Sequence, residues 1–98
     1  MFVHCVYFWL KAGITSDEEK RFLEGAKSLT KIESVRKGWV GKPAATDRPV
    51  IDSSYSYGLV VVFEDMAGHD AYQVDPIHDR FRDLSSLWTQ VKIYDFEE

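Results

Sequence analysis

The stretch "FVHCVYFWL", residues 2–10, is apolar on both of its alternating sides. Phe2, His4, Val6, Phe8 and Leu10 fall on one side, and Val3, Cys5, Tyr7 and Trp9 on the other. Successive side chains of a strand point to opposite faces, so a half-exposed strand alternates apolar with polar residues. This segment does not alternate, and it predicts a strand covered above and below. The run is too short to span a bilayer, carries no positively charged leader and lacks a small-residue cleavage site. A strand of a soluble, cytoplasmic protein is expected, with no membrane partner.

Working outward, "ITSDEEKRFLEGAKSLTKI" (14–32) opens with Thr15 and Ser16, each followed three residues later by glutamate, which is the capping-box pattern of a helix start. Phe22, Leu23, Ala26, Leu29 and Ile32 continue at helical spacing, with Gly25 a weak point. "SVRKGWVGK" gives a short second strand over 35–42. Residues 43–54, with two prolines and two aspartates, read as a mobile loop. "YSYGLVVVFE" (55–64) is a third strand with Tyr55, Tyr57, Leu59, Val61 and Phe63 on one face and Gly58, Val60 and Val62 on the other. Asp65 caps a short helix to about residue 73, "VDP" breaks it, a second helical segment runs from Pro76 to about Trp88, and "VKIYDF" closes the sheet.

The order β-α-β-β-α-β predicts an α+β, ferredoxin-like domain over residues 1–98, an antiparallel sheet with its helices on one face. Helices on one side leave Val3, Tyr7, Trp9, Val60 and Val62 in water on the other. A second copy of the chain is expected to cover them, giving a homodimer.

Composition narrows the partners. The chain is 45% hydrophobic, with a net charge of −4 and scattered basic residues, so no basic field attracts nucleic acid. Its single cysteine, Cys5, excludes an intrachain disulfide and fits a reducing compartment; in a buried strand it reads as a small core residue. His4, His69, His78 and Cys5 match no metal-ligand spacing, and no metal or cofactor is expected. His69 reads as a half-exposed ring stacked on its neighbours, and the three tryptophans as packing residues.

"AYQVDPIHDRF" (71–81) holds the residues that bear on chemistry. Asp75 as N-cap and Pro76 at the first helical position put His78 in the first turn, beside unpaired N–H groups and the positive end of the helix dipole. Burial and this position favour neutral imidazole, Asp75 and Asp79 the cation, and desolvation is expected to win. His78 lies at the edge of the stripe Ile77, Phe81, Leu84 and Trp88, where an ordinary boundary histidine is the expected reading and a pocket lip the alternative.

"VHCVYFWLK", "GWVGK", "YSYGLVVVFED", "AYQVDPIHDRF" and the terminal "YDF" resemble the stress-responsive dimeric α/β-barrel (Dabb) family over nearly the whole chain. The most specific element is Tyr72, Pro76 and His78 in that spacing. The resemblance implies two ferredoxin-like sheets packed face to face into a dimeric α/β barrel. A plant polyketide cyclase of the family places matching residues in a sheet–helix pocket. By that likeness His78 is a candidate general base and Tyr72 a hydrogen-bond donor to an enolate, with His4 nearby. The implied pocket includes Val6, Phe8, Tyr57, Leu59 and Trp88, and Tyr57 replaces a histidine of the cyclase. Some plant relatives hold a cation on backbone carbonyls near the positions of Leu29, Ile32 and Val35. Three functions follow as expectations: a module binding a small apolar carbonyl compound, a cofactor-free enzyme (cyclase, isomerase or oxygenase), and a stress-related structural oligomer.

Overall fold

Four antiparallel strands lie side by side in the order β2-β3-β1-β4, with the helices on one face. The computed structural model describes residues 1–98. Its elements are β1 (Phe2–Leu10), α1 (Ser16–Leu29), β2 (Lys37–Gly41), β3 (Tyr57–Phe63), α2 (Met66–Gln73), α3 (Pro76–Arg82) and β4 (Trp88–Glu97), with one 3-10 turn at Ser85–Leu87. This is the α+β, ferredoxin-like arrangement that the sequence pattern predicts. No helix is long and apolar enough to cross a membrane.

β1 is central, pairing with β3 through His4–Val61 and with β4 through His4–Asp95. Its Phe2, His4, Val6 and Phe8 side is buried, as are Leu59, Val61 and Phe63 beside it on β3. The core is completed by Phe22, Ala26 and Leu29 of α1, Tyr72 of α2 and Phe81 of α3. At one end of this layer Phe8, Phe22, Phe81 and Trp88 pack ring against ring, Phe81 and Trp88 stacked with centroids 5.1 Å apart.

Of the two capping boxes that the sequence offers, the chain uses Thr15 with Glu18. The Thr15 hydroxyl accepts from the Glu18 N–H (3.1 Å), and the Glu18 carboxylate accepts from the Thr15 N–H (3.0 Å). Gly25 lies where α3 comes close to α1: a Cβ there would meet Leu84 Cδ1 at 2.8 Å. Gly38 has the same reason on β2, since a Cβ would sit 2.8 Å from Thr30 Cβ.

Four expectations are corrected. The last helix stops at Arg82, not near Trp88, and Trp88 opens β4 opposite Leu10. Asp83, Ser85 and Ser86 hydrogen-bond competitively with the backbone and extend a helix poorly. Leu84 and Leu87 still reach the core because the 3-10 turn carries them there. β2 starts at Lys37, because the Val35 N–H turns back to the Ile32 carbonyl. Tyr55 is not on the helix side with Tyr57. It precedes β3 and packs its ring on Tyr7 (4.9 Å) and Trp9 (6.4 Å), on the helix-free face. Ser54 accepts from Trp9 Nε1 (3.1 Å), which ties the end of the 43–54 loop to that face. Cys5 also lies on the helix-free face, half-buried, and not in the core.

Thr15→Ala should lower unfolding free energy by about 1 kcal/mol through the lost cap. Gly38→Ala should cost about 1–3 kcal/mol by forcing β2 away from Thr30. Urea unfolding of the two variants checks both.

Candidate functional site

The break between α2 and α3 sets the site. The Asp75 carboxylate accepts from the Ile77 N–H (2.8 Å), and Pro76 occupies the first helical position, where its missing N–H leaves nothing unsatisfied. Tyr72 ends one helix pointing into the core, and His78 begins the next in its first turn. Their rings meet edge to face with centroids 4.8 Å apart. His4 reaches the other side of Tyr72 from β1, at 5.8 Å.

These three rings and Val6, Phe8, Leu29, Leu59, Phe81 and Trp88 line a cavity of about 210 Å³ between sheet and helices. Gln73 and Arg82 bring polar atoms to it, and Val91 and Ile93 of β4, both exposed, form its open side. Of the pocket residues expected from the sequence, His4, Val6, Phe8, Leu59, Tyr72, His78 and Trp88 come together here. Tyr57 does not. Its hydroxyl donates to Glu19 (2.7 Å), and with Ser16, Glu19, Lys20 and Leu23 it faces a separate surface hollow. The Phe22 ring, 5.5 Å away, packs beside it as part of the aromatic cluster. A histidine is too short for that reach to α1, whereas a phenol makes it. Burial first, and the Glu19 bond second, push the Tyr57 hydroxyl up to about 12.

The titration states follow from the surroundings. Burial lowers the pKa of His78, and the Arg82 guanidinium lowers it further, against a hydrogen bond to its own backbone and a smaller pull from Asp79. Asp75 is engaged as a cap, and Asp79 is paired with Arg82 (2.8 Å), so neither carboxylate offsets desolvation. Arg82 is the influence missing from the sequence argument: it sits one helical turn beyond His78, on the same side. Burial raises the Tyr72 phenol far above its ordinary value, against a small lowering by Arg82. The site thus holds a neutral imidazole against a protonated phenol. The His78 Nδ1 is buried and bonds to no other residue of the chain.

His4 is 3% exposed, and its Nδ1 lies 2.5 Å from the Asp95 carboxylate directly across the β1–β4 ladder. Burial lowers its pKa more than Asp95 raises it. His69 stacks on Phe2 (4.5 Å), as a partly exposed ring should, but also stands 5.0 Å from His4. The metal-ligand atoms of His4, His69 and Asp95 all lie within 4.8 Å of one another. Spacing along the chain could not show this, because Asp95 is 91 residues from His4 and reaches it only through the strand register. Cys5 faces the opposite way, and burial followed by the nearby Asp95 raises its thiol, the reverse of what a nucleophilic thiolate needs. Of the carbonyls considered for a backbone cation site, Leu29 and Ile32 already accept from the Ile32 and Val35 N–H groups.

The model of the stress responsive A/B barrel domain matches residues 2–98, and the chain belongs to that family. A Dabb family protein with a ferredoxin-like fold from Mesorhizobium loti is 32% identical, with a TM-score of 0.79 and 99% of this chain and 95% of that chain covered. A dimeric ferredoxin-like protein of unknown function from Thermobifida fusca is 18% identical, with a TM-score of 0.78 and 97% and 88% covered. A hydroxynitrile lyase from Passiflora edulis shares the fold at 14% identity, with a TM-score of 0.77 and 97% and 90% covered. No curated protein matches the sequence.

His78 should titrate below the usual 6.5. A lowered folded pKa means the unfolded chain binds the proton more readily, so this contribution to stability is complete above 6.5 and is lost as pH falls through the folded value. The ring Cε1 proton followed by NMR should give that pKa. His78→Gln should flatten the fall in melting temperature on the acid side.

Proposed function

We propose that the protein is a homodimer, joined through the helix-free sheet face, that binds a small apolar carbonyl compound in the cavity beside Tyr72 and His78. The assembly is supported by what the helix-free face carries. Trp39, Tyr94 and Phe96 are 57%, 59% and 56% exposed there, next to the half-buried Val3, Cys5, Tyr7 and Val60. The 43–54 loop and Tyr55 cover only one end. Between them and the sheet lies a hollow of about 500 Å³ lined by Cys5, Tyr7, Trp9, Tyr94 and Phe96, among others, which a partner's side chains would fill. A dimeric form is also described for the Thermobifida fusca relative. Two such sheets face to face would make the α/β barrel. The unpaired thiol suits the cytoplasm.

The ligand assignment rests on one observation, the buried and unpartnered Nδ1 of His78. Such a group costs about 1–3 kcal/mol unless something bonds to it. The remaining wall is mostly apolar, and the Tyr72 phenol stays protonated and able to donate. A ligand carrying one oxygen function on a hydrocarbon body meets both. An apolar cavity near 150 Å³ accommodates benzene, so about 210 Å³ suits one ring with a short carbonyl substituent. A long polyketide would have to extend past Val91 and Ile93.

A catalytic reading uses the same charge states in the other tautomer: the Nδ1–H that donates to a bound carbonyl oxygen becomes an Nδ1 lone pair that can take a proton. A neutral imidazole against a protonated phenol can remove a proton next to a carbonyl while the phenol donates to the enolate oxygen, assistance worth roughly 10²–10⁴-fold. Cyclase, isomerase and oxygenase chemistry would each need that step or a similar one. The hydroxynitrile lyase neighbour supports the fold's compatibility with an enzyme.

An aryl methyl ketone in D₂O separates these outcomes. Binding appears as line broadening of the ketone, and proton abstraction as deuterium entering its methyl group. If exchange is lost in His78→Ala and Tyr72→Phe while each stays folded, the protein is an enzyme. Binding without exchange makes it a carrier or sensor. Neither, in a folded protein and across several ring ketones, removes the pocket assignment.

The dimer should run in light scattering at about twice the 11.3 kDa chain mass. Tyr94→Lys should move it to the monomer mass, since Tyr94 is exposed in one chain and its loss spares the core.

A further inference from the structure

We propose that His4, His69 and Asp95 form a binding site for a divalent first-row transition-metal ion. His4 and Asp95 are directly opposed on β1 and β4, and α2 lays His69 over them. Their candidate ligand atoms are within 4.8 Å of one another. Ligands at roughly 2.0–2.2 Å from an ion lie roughly 3–3.5 Å apart, so modest movement closes the set. Asp95 is the residue with room to move, its side chain 37% exposed, while His69 and His4 are held by packing. Asp95, now 2.5 Å from His4 Nδ1, needs to shift only enough to let an ion in between.

Packing alone does not account for the group. The pairing with Asp95 occupies one nitrogen of His4, and the stack on Phe2 does not require a second imidazole with a ligand atom this near the same carboxylate. Two imidazoles and one carboxylate suit zinc, cobalt or ferrous iron; calcium and magnesium prefer all-oxygen shells. The outer support is also present. His69 Nδ1 lies 3.4 Å from the Asp70 carboxylate and its Nε2 lies 3.0 Å from the Gln73 amide. With the ion on Nε2, the Nδ1–H keeps the Asp70 carboxylate, which orients the ring. A solvent-facing hollow of about 430 Å³, bordered by Met66, Asp70, Phe96 and Glu97, leaves coordination positions for water or a further ligand.

His4 also forms one wall of the carbonyl cavity, so the ion would lie next to it, but the site does not depend on that assignment. The test uses the full chain stripped with chelator, with zinc added in a calorimeter and cobalt followed by visible absorption. One ion per chain is expected, with a cobalt d–d spectrum and a higher melting temperature. Asp95→Asn, which keeps the shape, and His69→Phe, which keeps the stack on Phe2, should each weaken binding roughly tenfold or more. His78→Ala should leave it unchanged, which separates this site from the carbonyl pocket. Absence of stoichiometric binding at millimolar metal would overturn the proposal. So would equal binding by the wild type and both variants, because the ion would then sit elsewhere.

Discussion

The strand at the centre of the sheet has to be covered on two sides by a chain that supplies helices for only one. β1 satisfies the first side by placing Phe2, Val6 and Phe8 under α1, α2 and α3. Chain length leaves little for the other, and the 43–54 loop reaches only the end near Trp9. A small domain buries a modest fraction of its surface, and the second face keeps Trp39, Tyr94 and Phe96 exposed. The same central position makes β1 the element that both the cavity and the histidine pair hang from: its helix side carries His4 and Val6 into the site, and its neighbour β4 carries Asp95.

The break at Val74–Asp75–Pro76 is the second constraint. A continuous helix would carry Tyr72 and His78 to azimuths about 120° apart, six residues on at 3.6 residues per turn. The cap and the proline instead restart the helix in a new direction, so the two rings converge from separate axes. The cavity is a consequence of that change of direction, since two short helices cover the sheet less completely than one long one. It lies open toward β4, whose Val91 and Ile93 have sheet on one side and no helix directly above.

Much of this was legible in the residues. Apolar runs on both sides of 2–10 and 57–63 gave strands covered above and below, and Thr15, Asp65 and Asp75 marked three helix starts that the backbone uses. Local signals failed where long-range packing decides. The spacing of Leu84 and Trp88 is helical, yet Trp88 pairs with Leu10, because strand pairing and a 3-10 turn satisfy the same apolar stripe. Tyr57 sits on the expected face, but face does not specify reach, and its phenol finds Glu19. The Tyr72–His78 pair was visible because both flank one break. His4 with Asp95 was invisible, because only the ladder register brings them together.

That register explains why chemistry-bearing residues gather at one end of the sheet. At the Phe8 end, four aromatic rings fill the space between sheet and helices and leave no room for polar groups. Toward the other end the helix above is α2, eight residues long and carrying Gly68 and Ala71, which fill little space. A carboxylate on β4 can sit opposite β1 there with access to water, and the buried His4 beside it keeps a polar partner. The cavity lies between these two environments, apolar toward Phe8 and Trp88 and polar toward His4 and Asp95. A ligand entering past Val91 and Ile93 would be oriented by that gradient: hydrocarbon toward the ring cluster, and its oxygen between Tyr72 and His78.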